Sequence, residues 1–147
     1  MHLRPIGACL GHQLLNQRGV IAQILLAAAP LFLAGIPQVV EHPDGQSPIT
    51  SAASVYGLYA PSSDATRPVG EWNTARIVLR GNHVEHWLND EKVASFEIGF
   101  PDWKTRIVGT KFADWPALGT LPAGHIVLQD HGDPVEYRNF MVRTLPD

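Results

Sequence analysis

Charge is scarce in this chain. Asp, Glu, Lys and Arg make up 17% of its 147 residues, and the formal net charge is −3. Binding to phosphate backbones needs a basic surface, so the composition gives no electrostatic reason to expect nucleic acid. Cysteine is almost absent too: the lone Cys9 cannot close a disulfide within the chain, and no Cys/His zinc pattern is present. A phosphate-cradling glycine loop and a nucleophile-elbow serine are also missing. No internal repeat or low-complexity tract interrupts the sequence, and its length suits one domain with a real core.

What is plentiful is turn material: 12 prolines and 13 glycines stand among 45% hydrophobic residues. That mix is expected where short strands meet tight loops. One stretch departs from it. From Gly19 to Val40 there is no charged residue, and Arg4 and Arg18 lie before the run. A basic flank, an apolar run and small residues around Ala34-Gly35 have the shape of a secretory signal or signal anchor. The run barely suffices to cross a bilayer, which takes about 20 apolar residues. The other reading is an amphipathic or buried helix from about Gln13 to Leu33, packed on the remainder of the protein. Residues 1–36 are therefore set apart as an apolar N-terminal segment. Its expected consequences are a periplasmic, secreted or membrane-anchored location and membrane contact through residues 19–36.

Beyond Pro37 the texture becomes strand and turn. Gln38 to Glu41 predicts a short strand, closed by Pro43-Asp44-Gly45, and Ser54 to Ala60 reads as another. The clearest signal runs from Asn73 to Ile98. Ala75, Ile77 and Leu79 alternate with Arg76, Val78 and Arg80, a period of two. Gly81-Asn82 suits a tight hairpin turn, His83 to Leu88 returns, and Asn89-Asp90-Glu91 turns the chain into a third strand ending at Ile98. Three strands joined so closely make an antiparallel meander. Asp102 to Ala113 lacks alternation and suits one helical turn. Two last strands are expected at His125–Gln129 and Pro134–Leu145.

These stretches carry a family resemblance. Pro68-Val69-Gly70-Glu71-Trp72-Asn73, His86-Trp87-Leu88-Asn89, and the closing Gly124-His125-Ile126-Val127-Leu128-Gln129-Asp130-His131-Gly132 with Val135-Glu136-Tyr137-Arg138-Asn139-Phe140 resemble the 3-keto-disaccharide hydrolase family. Where the family usually has Gly after its turn Asn, this chain has Asp90. The resemblance implies a mainly β, concanavalin A-like jelly-roll sandwich over residues 37–147. That sandwich is incomplete, because the strands that open the family's domain are replaced by the apolar segment. Of the family's Glu-x-Gln-x-x-Asp-like segment, Gln38 and Glu41 remain, with Ile36 in place of the first acid. Either the N-terminal helix covers the gap or the chain is a truncated, inactive member. The implied activity is hydrolysis of 3-keto-glycosides by acid/base chemistry, and the alternative is a lectin-like sandwich that binds oxidised sugar without turnover. A ketone at carbon 3 acidifies the adjacent C–H, so a base can remove that proton and expel the glycosidic oxygen. The reaction asks for a general base, a donor to the enolate, and often a metal or Arg as electrophile.

Three residues are the catalytic candidates. His131 sits in a strand-to-strand corner, where backbone geometry positions a ring; alternatively it bonds a nearby carbonyl and holds the corner. His86 shares a strand face with Val84 and Leu88, and a hydrogen-bonded core histidine is its structural alternative. Glu71 stands at a strand start beside Trp72, either as acid/base group or as a solvated strand-end carboxylate. Gln129, Arg138, Trp103, Trp115, Gln38 and Glu41 are candidate substrate contacts. Arg138 is expected rather to pair with a carboxylate such as Glu71. Most tryptophans belong in the core, and Trp103 and Trp115 are those expected to be exposed. Asn73, Asn89 and Asn139 read as turn and strand-edge anchors. No metal set is visible: His83 and His86 are three apart, which diverges on a strand, although the family resemblance allows a divalent ion in some members.

Overall fold

A computed structural model describes residues 18–27, 48–68, 70–115, 117–120, 126 and 135–145 of the protein, the first of these by backbone alone. Strands β1 (Arg18–Ala27), β2 (Asn73–Arg80), β3 (His83–Leu88), β4 (Glu91–Glu97) and β5 (Val135–Thr144) form one sheet in the order β4-β3-β2-β1-β5. Helix α1 (Pro101–Val108) follows β4.

The meander predicted by alternation is present. β2 pairs antiparallel with β3, and β3 with β4. Asn73, Ala75, Ile77 and Leu79 on β2 and Val84, His86 and Leu88 on β3 are buried, since successive side chains point to opposite faces. Gly81 at φ 58° turns β2 into β3. In the next turn both central residues, Asn89 (φ 50°) and Asp90 (φ 68°), are left-handed. That handedness matches the twist of the strands it joins. The register shifts between His86 and Trp87, so β4 carries a bulge there.

The N-terminal expectation is corrected. Residues 18–27 form a strand, parallel to β2 and to β5, and not part of a helix from Gln13 to Leu33. A parallel strand flanked on both sides reads as a continuous apolar run, which periodicity cannot tell from a buried helix. The backbone of 18–27 is hydrogen-bonded into the sheet; residues 28–36, the remainder of the stretch expected to contact a membrane, lie outside the described residues. Among the described residues no helix is long and apolar enough to cross a membrane.

The remaining elements cover one face of the sheet. Ser54 to Ala60 is not a strand. Val55 bonds Tyr59 in a single bridge, and Gly57 at φ 74° reverses the chain between them. This turn packs with Ile77, Leu79, Val84, Phe96, Ile98 and Trp103 in one core cluster, and Ala52, Ala53, Ala75, Leu88 and Val93 form a second. Helix α1 is longer than the single turn expected. Pro at its N-terminus is preorganised for helix, and Gly109 caps its end. Tyr59 locks the turn onto it: its hydroxyl donates to Asp102 Oδ2 at 2.8 Å, and Arg106 Nε donates to the same oxygen at 2.9 Å. Burial, and then the bond to Asp102, pushes the Tyr59 pKa up to about 12. The protein is thus mainly β, as expected. The described residues contain one mixed sheet and its covering layer; the second sheet of a jelly roll is not among them.

Candidate functional site

The sheet face away from the core carries the polar chemistry. Arg76 on β2, His83, Glu85 and Trp87 on β3, and Lys92 and Glu97 on β4 alternate with the buried set. The Arg76 guanidinium lies 4.2 Å from the centre of the Trp87 ring, with Lys92 Nζ at 5.9 Å. Trp87 Nε1 donates to one Glu85 oxygen at 2.9 Å, and Lys92 Nζ donates to the other at 3.1 Å. Partial burial raises the Glu85 pKa, but hydrogen bonds from Trp87 and Lys92 outweigh it and hold the carboxyl below its ordinary range. The His83 ring meets Glu97 through Nδ1 at 2.7 Å.

One end of this face brings Trp72 and Arg138 together, and Glu71 precedes Trp72 in the chain. Val20 is level with Asn73 on one side and Tyr137 on the other, so Trp72 and Arg138 lie on a diagonal across β1, two residues apart along the sheet. Tyr137 packs on the core, and Arg138, its neighbour in the strand, turns the other way. Its guanidinium lies 3.7 Å from the centre of the Trp72 ring. The expected ion pair with Glu71 is replaced by this cation–π contact one residue along. Glu71 is exposed, and its backbone N–H closes a turn onto the Pro68 carbonyl.

The asparagines fix this end, as anticipated for Asn73 and Asn89. Asn89 Oδ1 accepts from Thr74 N at 2.9 Å, while its amide donates to the Ala65 carbonyl and to Asn73 Oδ1, both at 2.7 Å. Asn73 Oδ1 also accepts from Arg67 N at 2.9 Å. The loop leading to Glu71 is thereby tied to the far hairpin.

His86 is corrected. It is 1% exposed, with Nδ1 3.0 Å from the Ala53 carbonyl and Phe96 packed edge-on at 5.6 Å. Burial depresses its pKa, more than the bond to Ala53 raises it. So buried and so bonded, the ring has the setting of a hydrogen-bonded core histidine, the structural alternative. Trp103 is corrected on the same ground: it is 1% exposed and stacks on Phe96 at 5.6 Å. Trp115 is 58% exposed, as expected. His131, Gln129, Gln38 and Glu41 lie outside the described residues. The cluster on Glu85 was not anticipated. The alternation that buries Val84 and Leu88 would have found it, by turning His83, Glu85 and Trp87 outward together. Among the described residues no three His, Cys, Asp or Glu side chains come together to hold a metal ion.

Residues 30–143 match the family described as the 3-keto-alpha-glucoside-1,2-lyase-like domain. The chain belongs to that family. A 3-keto-disaccharide hydrolase of Bacteroides thetaiotaomicron is 32% identical over 117 residues, covering 71% of this chain. The chain spans only 40% of that relative's length. A solved structure from Parabacteroides distasonis ATCC 8503, named provisionally as a glycosyl hydrolase, is 35% identical over 57% of this chain and 39% of its own, with a TM-score of 0.48. The Glu71 carboxylate is exposed to solvent at this end of the sheet. The neighbouring Trp72 offers an aromatic surface, with the Arg138 cation over its ring.

Proposed function

We propose that this chain cleaves 3-keto-disaccharides by acid/base chemistry at the Glu71 end of the sheet. The observation that carries the reading is the 32% identity to a relative named 3-keto-disaccharide hydrolase. The exposed Glu71, with the Arg138–Trp72 pair next to it, supports the location. In this scheme Glu71 removes the proton on the carbon beside the ketone. The electron pair passes through the enolate and expels the glycosidic oxygen. Arg138 donates to the developing enolate oxygen, as a preplaced cation does for charge that forms in the transition state. His131 returns a proton to the departing sugar, and water adds to the unsaturated product.

Turnover of 3-keto-trehalose or 3-keto-lactose, followed as release of free sugar, tests this directly. Glu71→Gln and His131→Ala should each slow release by about a hundredfold or more, with the urea unfolding midpoint unchanged. The scheme fails if purified, cooperatively folding protein releases no sugar, or if both variants turn over like the parent. A second reading, carbohydrate binding without turnover, draws on the burial of His86 and the exposure of Trp115. Calorimetric binding of the same sugars without release would select it.

A further inference from the structure

At the other end of the outer face, away from Glu71, a serine, a histidine and a carboxylate fall in line. His83 pairs across the sheet with Glu97, and Glu85 pairs with Ser95. Glu97 Oε1 lies 2.7 Å from His83 Nδ1, and Ser95 Oγ lies 3.4 Å from His83 Nε2. Glu85 Oε1 is the other neighbour of that nitrogen, at 3.6 Å, but Lys92 already donates to it. Ser95 is exposed and His83 half-buried. Glu97 thus fixes the tautomer: with the proton on Nδ1, the Nε2 lone pair faces the serine hydroxyl. Serine nucleophiles are activated by this order of groups on unrelated folds.

The backbone adds a further part. Ile98 N–H donates inward to the Asn82 carbonyl. N–H groups alternate sides along an antiparallel strand, so the N–H of Ser95 points off the β4 edge of the sheet. A nucleophile whose own N–H is free of the ladder can stabilise the oxyanion formed on attack.

We propose that Ser95, His83 and Glu97 form an acyl-transfer site for short-chain esters, separate from the sugar-cleaving end and independent of that reading. Ser95 Oγ attacks the ester carbonyl while its proton passes to His83 Nε2. The carbon–oxygen bond to the alcohol then breaks, and His83 gives the proton to the departing alkoxide. Water, deprotonated by His83, attacks the acyl-serine and releases the carboxylic acid as Oγ recovers its proton. Ser95 and His83 are the catalytic residues, and Glu97 is a positioning residue. The short chain follows from the exposure of Ser95, which a small ester reaches directly from solvent.

The full chain is treated with a fluorophosphonate probe and with p-nitrophenyl acetate. Expected is one label per chain, mapped by peptide mass spectrometry to Ser95, and a burst of one p-nitrophenol per chain. Ser95→Ala should abolish both, and His83→Gln should slow labelling by about a hundredfold. Glu97→Ala should slow it too, with most of the rate recovered in Glu97→Asp. Urea midpoints confirm that each variant is folded, and a substitution that unfolds the chain is replaced by Ser95→Cys, which keeps a nucleophile that acetyl ester acylates. No label on the parent, a label on another serine, or an unaltered rate in folded His83→Gln overturns the proposal.

Discussion

A buried imidazole with one ring nitrogen bonded and its Nε2 without a partner responds to acid. Because burial depresses the His86 pKa, the unfolded chain takes up a proton that the fold refuses. Stability is therefore complete above the ordinary histidine pKa of about 6.5 and falls as pH drops toward the folded value, by at most about 1.4 kcal/mol per pH unit. Urea titrations from neutral to mildly acidic pH should show this slope, and His86→Leu should flatten it. The same variant should lose about 1–3 kcal/mol at neutral pH, because the Ala53 carbonyl loses its donor. An equal slope in both proteins would assign the acid response to another group. The inward face of His86 was legible from its alternation with Val84 and Leu88. That such a face excludes substrate was not, because alternation gives direction and depth follows from packing by residues as distant as Ala53.

The β3–β4 hairpin is the element the sequence described best, down to its turn. Asp90 stands where the resembling family has Gly, and it adopts φ 68°, a region where a side chain adds strain and glycine does not. Asp90→Gly should raise stability by about 0.5–1 kcal/mol, read as a higher urea midpoint with no change in slope; a lower midpoint would mean that the Asp side chain contributes more than the strain costs. Two elements were less legible. The Ser54–Ala60 stretch has strand composition, yet Gly57 and the bonds of Val55 to Tyr59 and Leu58 fold it into a turn. β1 has no period to read, since its apolar run suits several buried structures equally.

For the whole molecule the decisive placement is β1, paired on both sides between β2 and β5. Ile24 is level with Ile77 on one side and Val142 on the other. Proline there removes a ladder donor from a strand bonded on both edges, a position proline is not found in. Ile24→Pro should abolish the cooperative unfolding transition, while Ile49→Pro, at an exposed short turn, should leave one. Survival of the transition in Ile24→Pro would remove the N-terminal strand from the fold. At this scale the family lineage was readable from ordered motifs between Pro68 and Phe140. The mixed sheet was not, because parallel pairing joins segments that share no local signal.

That pairing has a consequence for biosynthesis. Arg18 is matched with Val135 and Leu26 with Thr144, so β1 leaves the ribosome well before β5, the strand that forms half its neighbours, has been made. The hairpins between them can form as they emerge. Until β5 arrives, a mostly apolar strand with an unpaired edge stays open to any passing chain. Yield in the cell should therefore depend on chaperones that shield nascent chains more than on the depth of the native well.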